Sequence, residues 1–511
     1  MAAAPVISVA ADSAAEDPIW TDLVEWLARF PGGTGVEEKL VEVSSRGVNS
    51  DALLNLRTLR PLYPASFAVL NAAQWISLHV ALQFRRHLEG DAAAAAAARP
   101  PLARNVSQNA RTKASDGDET TAADDASVKR TKTKTKTKTA TKQRAATSQD
   151  KFWPFLASLP RAFPTMPLTW SLSSKSAATL QADFAIPVSD ASLAALRAKE
   201  EAGGGQKGMQ QRRRRRYEQL FERMPAAARR KADEVEKRFA ADWHAVRKLW
   251  ADEGKTVDGD LTFFDFVLGW QNVNTRCIYF DIDGKRENNL TLCPVIDMIN
   301  HSPGRTTKPD PRLSSLTFCA PAANSSDPAL RDGDELSFQY GSHEDAFLLA
   351  EYGFVVGEEN LYNAVEVDRF VEALFEAQGD EGELKRGVLK DEGYWGDMTL
   401  QATPPPSPSW RVLVSLRLLH HRLAAGSTAS LSASALAPWY HVVSGAAETI
   451  SPSNETKQWE KEFKEGSGDE EEEDDLKSSD LLASLRMVRT VWTEEERIAR
   501  AVLAGPPQAT S

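Results

Sequence analysis

The 511-residue sequence predicts an α+β protein with long amphipathic helices. The first observation is the stretch 291–301, where an apolar run from Cys293 to Ile296 closes on Asp297, Asn300 and His301. Buried apolar residues fix the backbone there, so the polar side chains are free to face something held close. The second is a stripe of Val235, Phe239, Trp243, Val246 and Trp250, which recurs at helical spacing and marks one buried helix face. The third is a helical carboxy-terminal region. Trp410–Leu423 places Val412, Leu416 and Leu419 on one face, and a last helix is expected over roughly 480–503.

Composition narrows the function. The length gives room for two or three domains and a sizeable core. The formal net charge of −11 does not suit a general nucleic-acid binder. The three cysteines, Cys277, Cys293 and Cys319, form no C-x-x-C pair, which argues against a zinc site or a disulfide framework and fits a reducing compartment. No apolar run is long enough for a membrane span, and the amino-terminal residues lack the pattern of a secretion signal.

Along the chain, residues 1–17 are small and polar and are expected to be disordered. Trp20, Leu23, Val24, Trp26 and Leu27 predict a short helix that stops at Pro31-Gly32-Gly33. Leu40–Val43 reads as a strand ending at Ser45-Arg46-Gly47, and a helix is expected over Leu70–Leu88. Residues 90–150 are low-complexity, with an alanine run followed by lysines alternating with threonines, and are expected to be a disordered insertion. Its lysines suit a solvated segment, an import signal or a nucleic-acid contact. Arg212–Arg216 reads as the solvated start of a long helix reaching Trp250, or as an import signal or a contact for an acidic partner. Thr262-x-x-Asp265 has the form of a capping box opening a helix that leads to Arg276 and a strand at 277–280.

Three pieces, taken in order, carry a resemblance. They are Asp297-Met-Ile-Asn300-His301, then Gly333-Asp-Glu-Leu-Ser-Phe-Gln-Tyr340-Gly341, then Leu348-Leu-Ala-Glu-Tyr352-Gly-Phe354. Together they resemble the carboxy-terminal half of a SET domain, the knotted β fold of protein lysine methyltransferases. Trp153-Pro-Phe-Leu156, Pro167-Leu-Thr-Trp170 and Gly393-Tyr-Trp-Gly396 extend the likeness to the Rubisco large-subunit methyltransferase class. In that class a helical insertion splits the SET domain and a helical substrate-binding domain follows. The resemblance implies an amino-terminal SET part at 18–89, the disordered insertion at 90–150, a helical insertion at 151–260 and a carboxy-terminal SET core at 261–376. The substrate-binding domain would occupy 377–511, with an acidic loop at 466–475.

The resemblance also implies chemistry. The cofactor would be S-adenosyl-L-methionine and the reaction N-methylation of lysine in a non-histone protein, such as a ribosomal protein or elongation factor. Asn300 and His301 would hold the cofactor's adenine, supported by Asp297. Arg46 and Gly47 would contact its methionine end, with Phe338 and Gln339 lining the cofactor side. Tyr340 would be the catalytic tyrosine at the transfer pore. Tyr352 and Phe354 would wall the lysine channel, and Arg276 would stand near both channel and cofactor. No metal is required. A lysine-containing protein would be the partner, with no membrane and no nucleic acid, and the chain acting as a monomer in the cytoplasm or nucleus. A catalytically silent SET-fold binding module and a histidine methyltransferase of the same class are the alternatives.

One departure stands out. In the family, the Arg-Gly of the first strand is followed by another strand and an acidic turn, whereas here Arg46-Gly47-Val48 runs almost directly into Ala52-Leu53-Leu54-Asn55. A strand without its partner leaves backbone N–H and C=O groups unpaired. The expectation is weak cofactor binding or poor folding at the amino-terminal sheet.

Overall fold

The computed structural model describes residues 22–23, 53–98, 150–201, 205–255, 261–280, 287–303, 308–309, 318–319, 334–421 and 473–504. The amino-terminal elements are α1 (Leu56–Leu59), α2 (Ala72–Ala98), α3 (Trp153–Ala157), α4 (Pro167–Ser174), α5 (Ala177–Phe184) and α6 (Ala191–Glu201). Next come α7 (Gly205–Glu222), α8 (Ala226–Asp252), α9 (Phe263–Arg276), β1 (Ile278–Tyr279), β2 (Leu290–Thr291) and β3 (Asn300–His301). They are followed by β4 (Lys308–Pro309), β5 (Phe318–Cys319), β6 (Ser337–Phe338), α10 (Asp345–Tyr352), β7 (Ala364–Glu366) and α11 (Asp368–Glu376). The chain continues through α12 (Asp380–Asp391), β8 (Thr399–Gln401), β9 (Ser407–Pro408), α13 (Trp410–His420) and α14 (Glu473–Ala504). β1 and β2 pair antiparallel, as do β4 and β5, while β3 runs parallel to β6. β7, β8 and β9 form an antiparallel sheet.

The larger core is built on α2, α8 and α9. Val235, Phe239, Trp243, Val246 and Trp250 are all buried, so the tryptophans are packing residues as their spacing predicts. Phe239 meets Trp270 edge-on at 5.5 Å, and Trp243 meets Phe263 edge-on at 5.3 Å, arrangements that add to simple burial. The α9 capping box is present: Thr262 accepts from the Asp265 backbone N–H, and the Asp265 carboxylate accepts from the Thr262 backbone N–H. Helix α2 lies close on α9 because Gly269 has no side chain. A Cβ there would come within 2.3 Å of the Ser77 carbonyl oxygen.

Several expectations are corrected. The helix expected to stop at Leu88 continues through the alanine run, so residues 90–98 belong to α2 and not to a disordered insertion. Alanine has the highest helix propensity and can extend a helix already nucleated by packing. The rest of the insertion up to residue 149 lies outside the described residues. The long helix over 217–250 is two helices, α7 and α8, broken at Met224-Pro225 because proline lacks the N–H needed to continue. Arg212–Arg216 lie inside α7 instead of before it, with Arg212, Arg213 and Arg215 exposed. The acidic loop expected over 466–475 is partly helix, since Glu473, Asp474 and Asp475 open α14. Acidic residues suit a helix amino terminus.

A second core begins at Val365 in β7 and includes Val371, Phe375, Leu389, Leu400, Val412 and Leu416. Helix α14 belongs to both cores: Leu481, Leu485, Val488 and Val491 pack in the first, and Ile498, Ala499 and Val502 in the second. Between these groups, the Trp492 indole N–H donates to the Arg223 carbonyl at 2.8 Å. Residues 480–504 are therefore a spine shared by the two cores. No helix among the described residues is long and apolar enough to cross a membrane.

Candidate active site

The site is assembled from the segment after β2. The Leu54 N–H donates to the Leu292 carbonyl and the Leu292 N–H to the Leu54 carbonyl, both at 3.0 Å. Cys293 and Ile296 are buried against Leu53. Between them, Val295 has φ of +71°, a left-handed backbone that a β-branched residue adopts only under constraint. The short turn Ile296–Met298 follows and turns the Asp297 side chain inward, fully buried. The Arg276 guanidinium Nη1 donates both to the Asp297 carbonyl, at 3.0 Å, and to its Oδ2, at 3.2 Å. Burial pushes the Asp297 acid up even against the opposing pull of Arg276. Arg276 is thus a clamp on the turn that leads into Asn300 and His301. Burial also pushes the Cys277 and Cys293 thiols up, so neither is a thiolate nucleophile.

The parallel pairing of β3 with β6 sets Asn300 beside Ser337 and His301 beside Phe338. It brings His301 to Tyr340, so that the Tyr340 N–H donates to His301 Nδ1 at 3.0 Å. Burial, followed by the nearby His343, lowers the His301 pKa and keeps its ring neutral. Since Nδ1 accepts, the ring proton belongs on Nε2. That Nε2 is buried without a partner among the described residues. The Tyr340 hydroxyl donates to the Ile299 carbonyl at 2.8 Å, and burial raises its pKa well above the ordinary phenol value. It therefore stays protonated. The exposed Asn300 side chain donates to Glu335 Oε1 at 2.6 Å.

Around Tyr340 stands a set of rings. Its centroid lies 4.9 Å from Phe338, 5.3 Å from Tyr352 and 6.3 Å from Phe354. His301 is 5.2 Å from Tyr340 and 5.8 Å from Phe354, and Tyr352 is 6.0 Å from Phe354. Such a half-buried aromatic cluster can desolvate a cation while leaving a protonated phenol to orient it.

Of the residues singled out from sequence, Arg276, Asp297, His301, Phe338, Tyr340, Tyr352 and Phe354 are brought together by these contacts. Gln339 turns back, its amide reaching the Gly341 carbonyl at 3.4 Å. Arg46 and Gly47 lie outside the described residues, as does the strand expected at Leu40–Val43. Sequence reasoning missed Glu335 as the Asn300 partner and the carbonyl of Ile299 as the anchor of Tyr340. It also missed Asn274, whose amide donates to the Glu351 carbonyl at 2.9 Å and ties the end of α10 to α9. Asn274 stands two residues before Arg276, on the same helix end, and could have been found there; the carbonyl carries no sequence signal.

Comparison with known proteins supplies the context. The chain is 30% identical over 201 residues to ribosomal lysine N-methyltransferase set11 of Schizosaccharomyces pombe, covering 39% of this chain and 46% of that protein. It is 30% identical over 232 residues to ribosomal lysine N-methyltransferase 2 of Saccharomyces cerevisiae, again 39% and 46%. Human SET domain-containing protein 4 matches at 27% over 297 residues, 54% of this chain and 63% of that protein. The chain is similar to SET-domain lysine methyltransferases. The SET-type resemblance carried by the motifs is borne out by these relatives. The chain spans about half the length of the first curated relatives it matches. A solved SET domain of LSMT bound to lysine and AdoHcy aligns at 16% identity and a TM-score of 0.33, covering 56% of this chain and 65% of that one. No family model matches the chain.

Proposed function

We propose that this chain is an S-adenosylmethionine-dependent protein-lysine N-methyltransferase acting on a non-histone protein, with a ribosomal protein the leading candidate. The observation that carries the reading is the protonated Tyr340 phenol, fixed by Ile299 at the meeting point of His301, Phe338, Tyr352 and Phe354. The substrate class is supported by the names of the yeast relatives. A lysine-containing protein is the partner, and the cytoplasm or nucleus is the compartment.

The residues present fit the cofactor. The Nε2–H of His301, without a partner among the described residues, is a buried donor suited to an acceptor on a purine or carboxylate, and the Asn300 amide lies exposed beside it on β3. S-adenosylmethionine, when bound, supplies an electrophilic methyl group on sulfonium sulfur. The chain's own residues prepare the amine. A free lysine has a pKa of ~10.4 and is charged at neutral pH. The rings of Tyr352 and Phe354 remove water from the ammonium and favour its neutral form. Tyr340 then orients the amine lone pair, and alignment supplies much of the acceleration. Arg276 keeps the Asp297 turn in place so that Asn300 and His301 face the cofactor.

The test is transfer from tritiated S-adenosylmethionine to ribosomal proteins, with the labelled residue identified. Tyr340→Phe removes one hydroxyl and one hydrogen bond, worth ~1 kcal/mol of stability. Turnover is expected to fall by about two orders of magnitude, with cofactor affinity within about threefold on calorimetry. Wild-type turnover in the variant overturns the assignment of Tyr340. Label on histidine replaces the lysine reading, and cofactor binding without any transfer replaces it with a silent module.

A further inference from the structure

Behind the aromatic cluster lies a buried carboxylate that the proposed chemistry does not use. Asp345 is the first residue of α10 and is 1% exposed. Its Oδ1 accepts from the Val356 N–H at 3.0 Å and the Asn360 amide at 2.9 Å. Its Oδ2 accepts from the Gly357 N–H at 2.8 Å and the Asn363 amide at 3.1 Å. Asn363 returns the contact, its Oδ1 accepting from the Asp345 N–H at 2.8 Å, and the Asn360 amide also donates to the His343 carbonyl at 3.0 Å. Asn360 and Asn363 are themselves buried. Four N–H donors therefore converge on one carboxylate, and the amino terminus of α10 favours the same negative charge.

The topology gives this knot a purpose. The chain runs down α10 to Tyr352, reverses at Gly353 in the left-handed region, passes Phe354 and returns to Val356 and Gly357. Asp345 ties the return to the start, closing a loop with the channel walls at its far end. The two walls are not equally dependent on it. Tyr352 ends a helix tied independently through Glu351 to Asn274 and Arg238. Phe354 stands on the returning segment, two residues before the first N–H that Asp345 holds.

We infer that Asp345 is the positioning residue for the Phe354 wall of the channel, a role that rests on the methyltransferase reading given above. A shift of the returning segment would carry Phe354 away from Tyr340 and His301, now 6.3 Å and 5.8 Å from its ring. The channel would widen while the Asn300–His301 strand, on the other side, kept its place.

The experiment compares wild type, Asp345→Asn and the exchange Asp345→Asn/Asn363→Asp in the full chain. The single variant loses acceptor capacity and sets an amide NH2 against N–H donors; the exchange returns one carboxylate to the knot. Two readouts are taken: transfer from tritiated S-adenosylmethionine to ribosomal proteins, and fluorine NMR of 4-fluorophenylalanine placed at position 354, with position 239 in the large core as control. Because an ångström of misplacement costs large factors in rate, turnover in the single variant should fall by about tenfold or more with cofactor affinity within about threefold. The signal at 354 should move while that at 239 stays, and the exchange should restore both turnover and signal. An unmoved signal at 354 overturns the inference, as does movement of both signals, which would mean general loosening. If wild type transfers no methyl group, the functional reading fails, and the fluorine signals still decide whether Asp345 positions Phe354.

Discussion

Replacing Arg276 by methionine tests whether the Asp297 turn depends on a buried charge pair. The Asp297 side chain has no exposure, its Oδ2 accepts from Arg276 at 3.2 Å, and its Oδ1 has no partner among the described residues. Breaking such a pair from one side costs ~3–5 kcal/mol because an uncompensated charge stays buried. The carboxyl can escape that cost by taking a proton. Its folded pKa, already raised by burial, then rises further above the unfolded value of ~4. A raised carboxyl leaves stability intact at pH below the unfolded pKa and loses it as pH climbs through the folded one, by at most ~1.4 kcal/mol per pH unit. The variant should therefore be nearly as stable as wild type near pH 4, apart from ~1 kcal/mol for the lost bond to the Asp297 carbonyl. By pH 8 the deficit should approach the full ~3–5 kcal/mol. Adding Asp297→Asn should abolish the pH dependence and recover most of the stability. Urea denaturation across that range measures all three proteins. A deficit at pH 8 below ~1 kcal/mol, or one that does not change with pH, refutes the reasoning.

Other perturbations follow from packing and charge. Excising residues 100–147 should shift the melting temperature by no more than a few degrees, provided Asp150 is kept, since it accepts from the Phe152 N–H at 2.8 Å; a large fall would show that the insertion packs. Ending the chain before α14 would uncover Leu481, Leu485, Val488 and Val491 in one core and Ile498 and Val502 in the other. At ~1.5–3 kcal/mol per side chain this exceeds the stability of a typical domain. No soluble folded protein is expected, and a monomeric product with native circular dichroism would contradict the shared spine. Burial, followed by repulsion from Glu344, pushes the Glu495 acid up to about 8. Wild type should lose stability as pH rises from the ordinary carboxylate range to about 8, and Glu495→Gln should remove that loss; equal melting curves for the two at pH 9 would show that the site is solvated.

The features legible in the sequence were those set by neighbours in the chain. The Thr262 capping box, the tryptophan stripe of α8 and the polar cluster after Cys293 each need only a few residues to declare themselves. Tyr340 drew its expected place at a transfer pore from the order of motifs, which resembles that of a family. The physical cause of its placement, the parallel pairing of β3 with β6, spans a separation that spacing cannot reveal. The same limit hid the double role of α14, an expected helix whose two apolar groups look like one ordinary face until they are seen in different cores. Local signals were also misread where composition outweighed propensity. The alanine run looked featureless because it carries no periodic apolar face, yet alanine needs none to extend α2. At Met224-Pro225 the break was written in the sequence and was overridden by the regularity of the stripe that follows.

The shortened connection near Val48 bears on the site differently from what the missing strand suggested. The unpaired backbone groups it was expected to leave belong to residues outside the described ones, but its other end is visible. Leu53 and Leu54 arrive directly beside the candidate-site segment, where Leu54 exchanges two backbone hydrogen bonds with Leu292 and Leu53 packs on Cys293 and Ile296. Asn55 then caps α1 at once, its side chain accepting from the N–H groups of Arg57 and Thr58. Among the described residues, the segment that carries Val295 in a strained conformation is thus supported by two apolar residues and one bridge. Strain of this kind persists only where its surroundings over-determine it. Here the determination comes from three sides: Leu53 and Leu54, the Arg276 clamp on Asp297, and the pairing of β3 with β6. Weakening any one of them should be felt at Asn300 and His301, because those two residues are the next positions along the same short piece of chain.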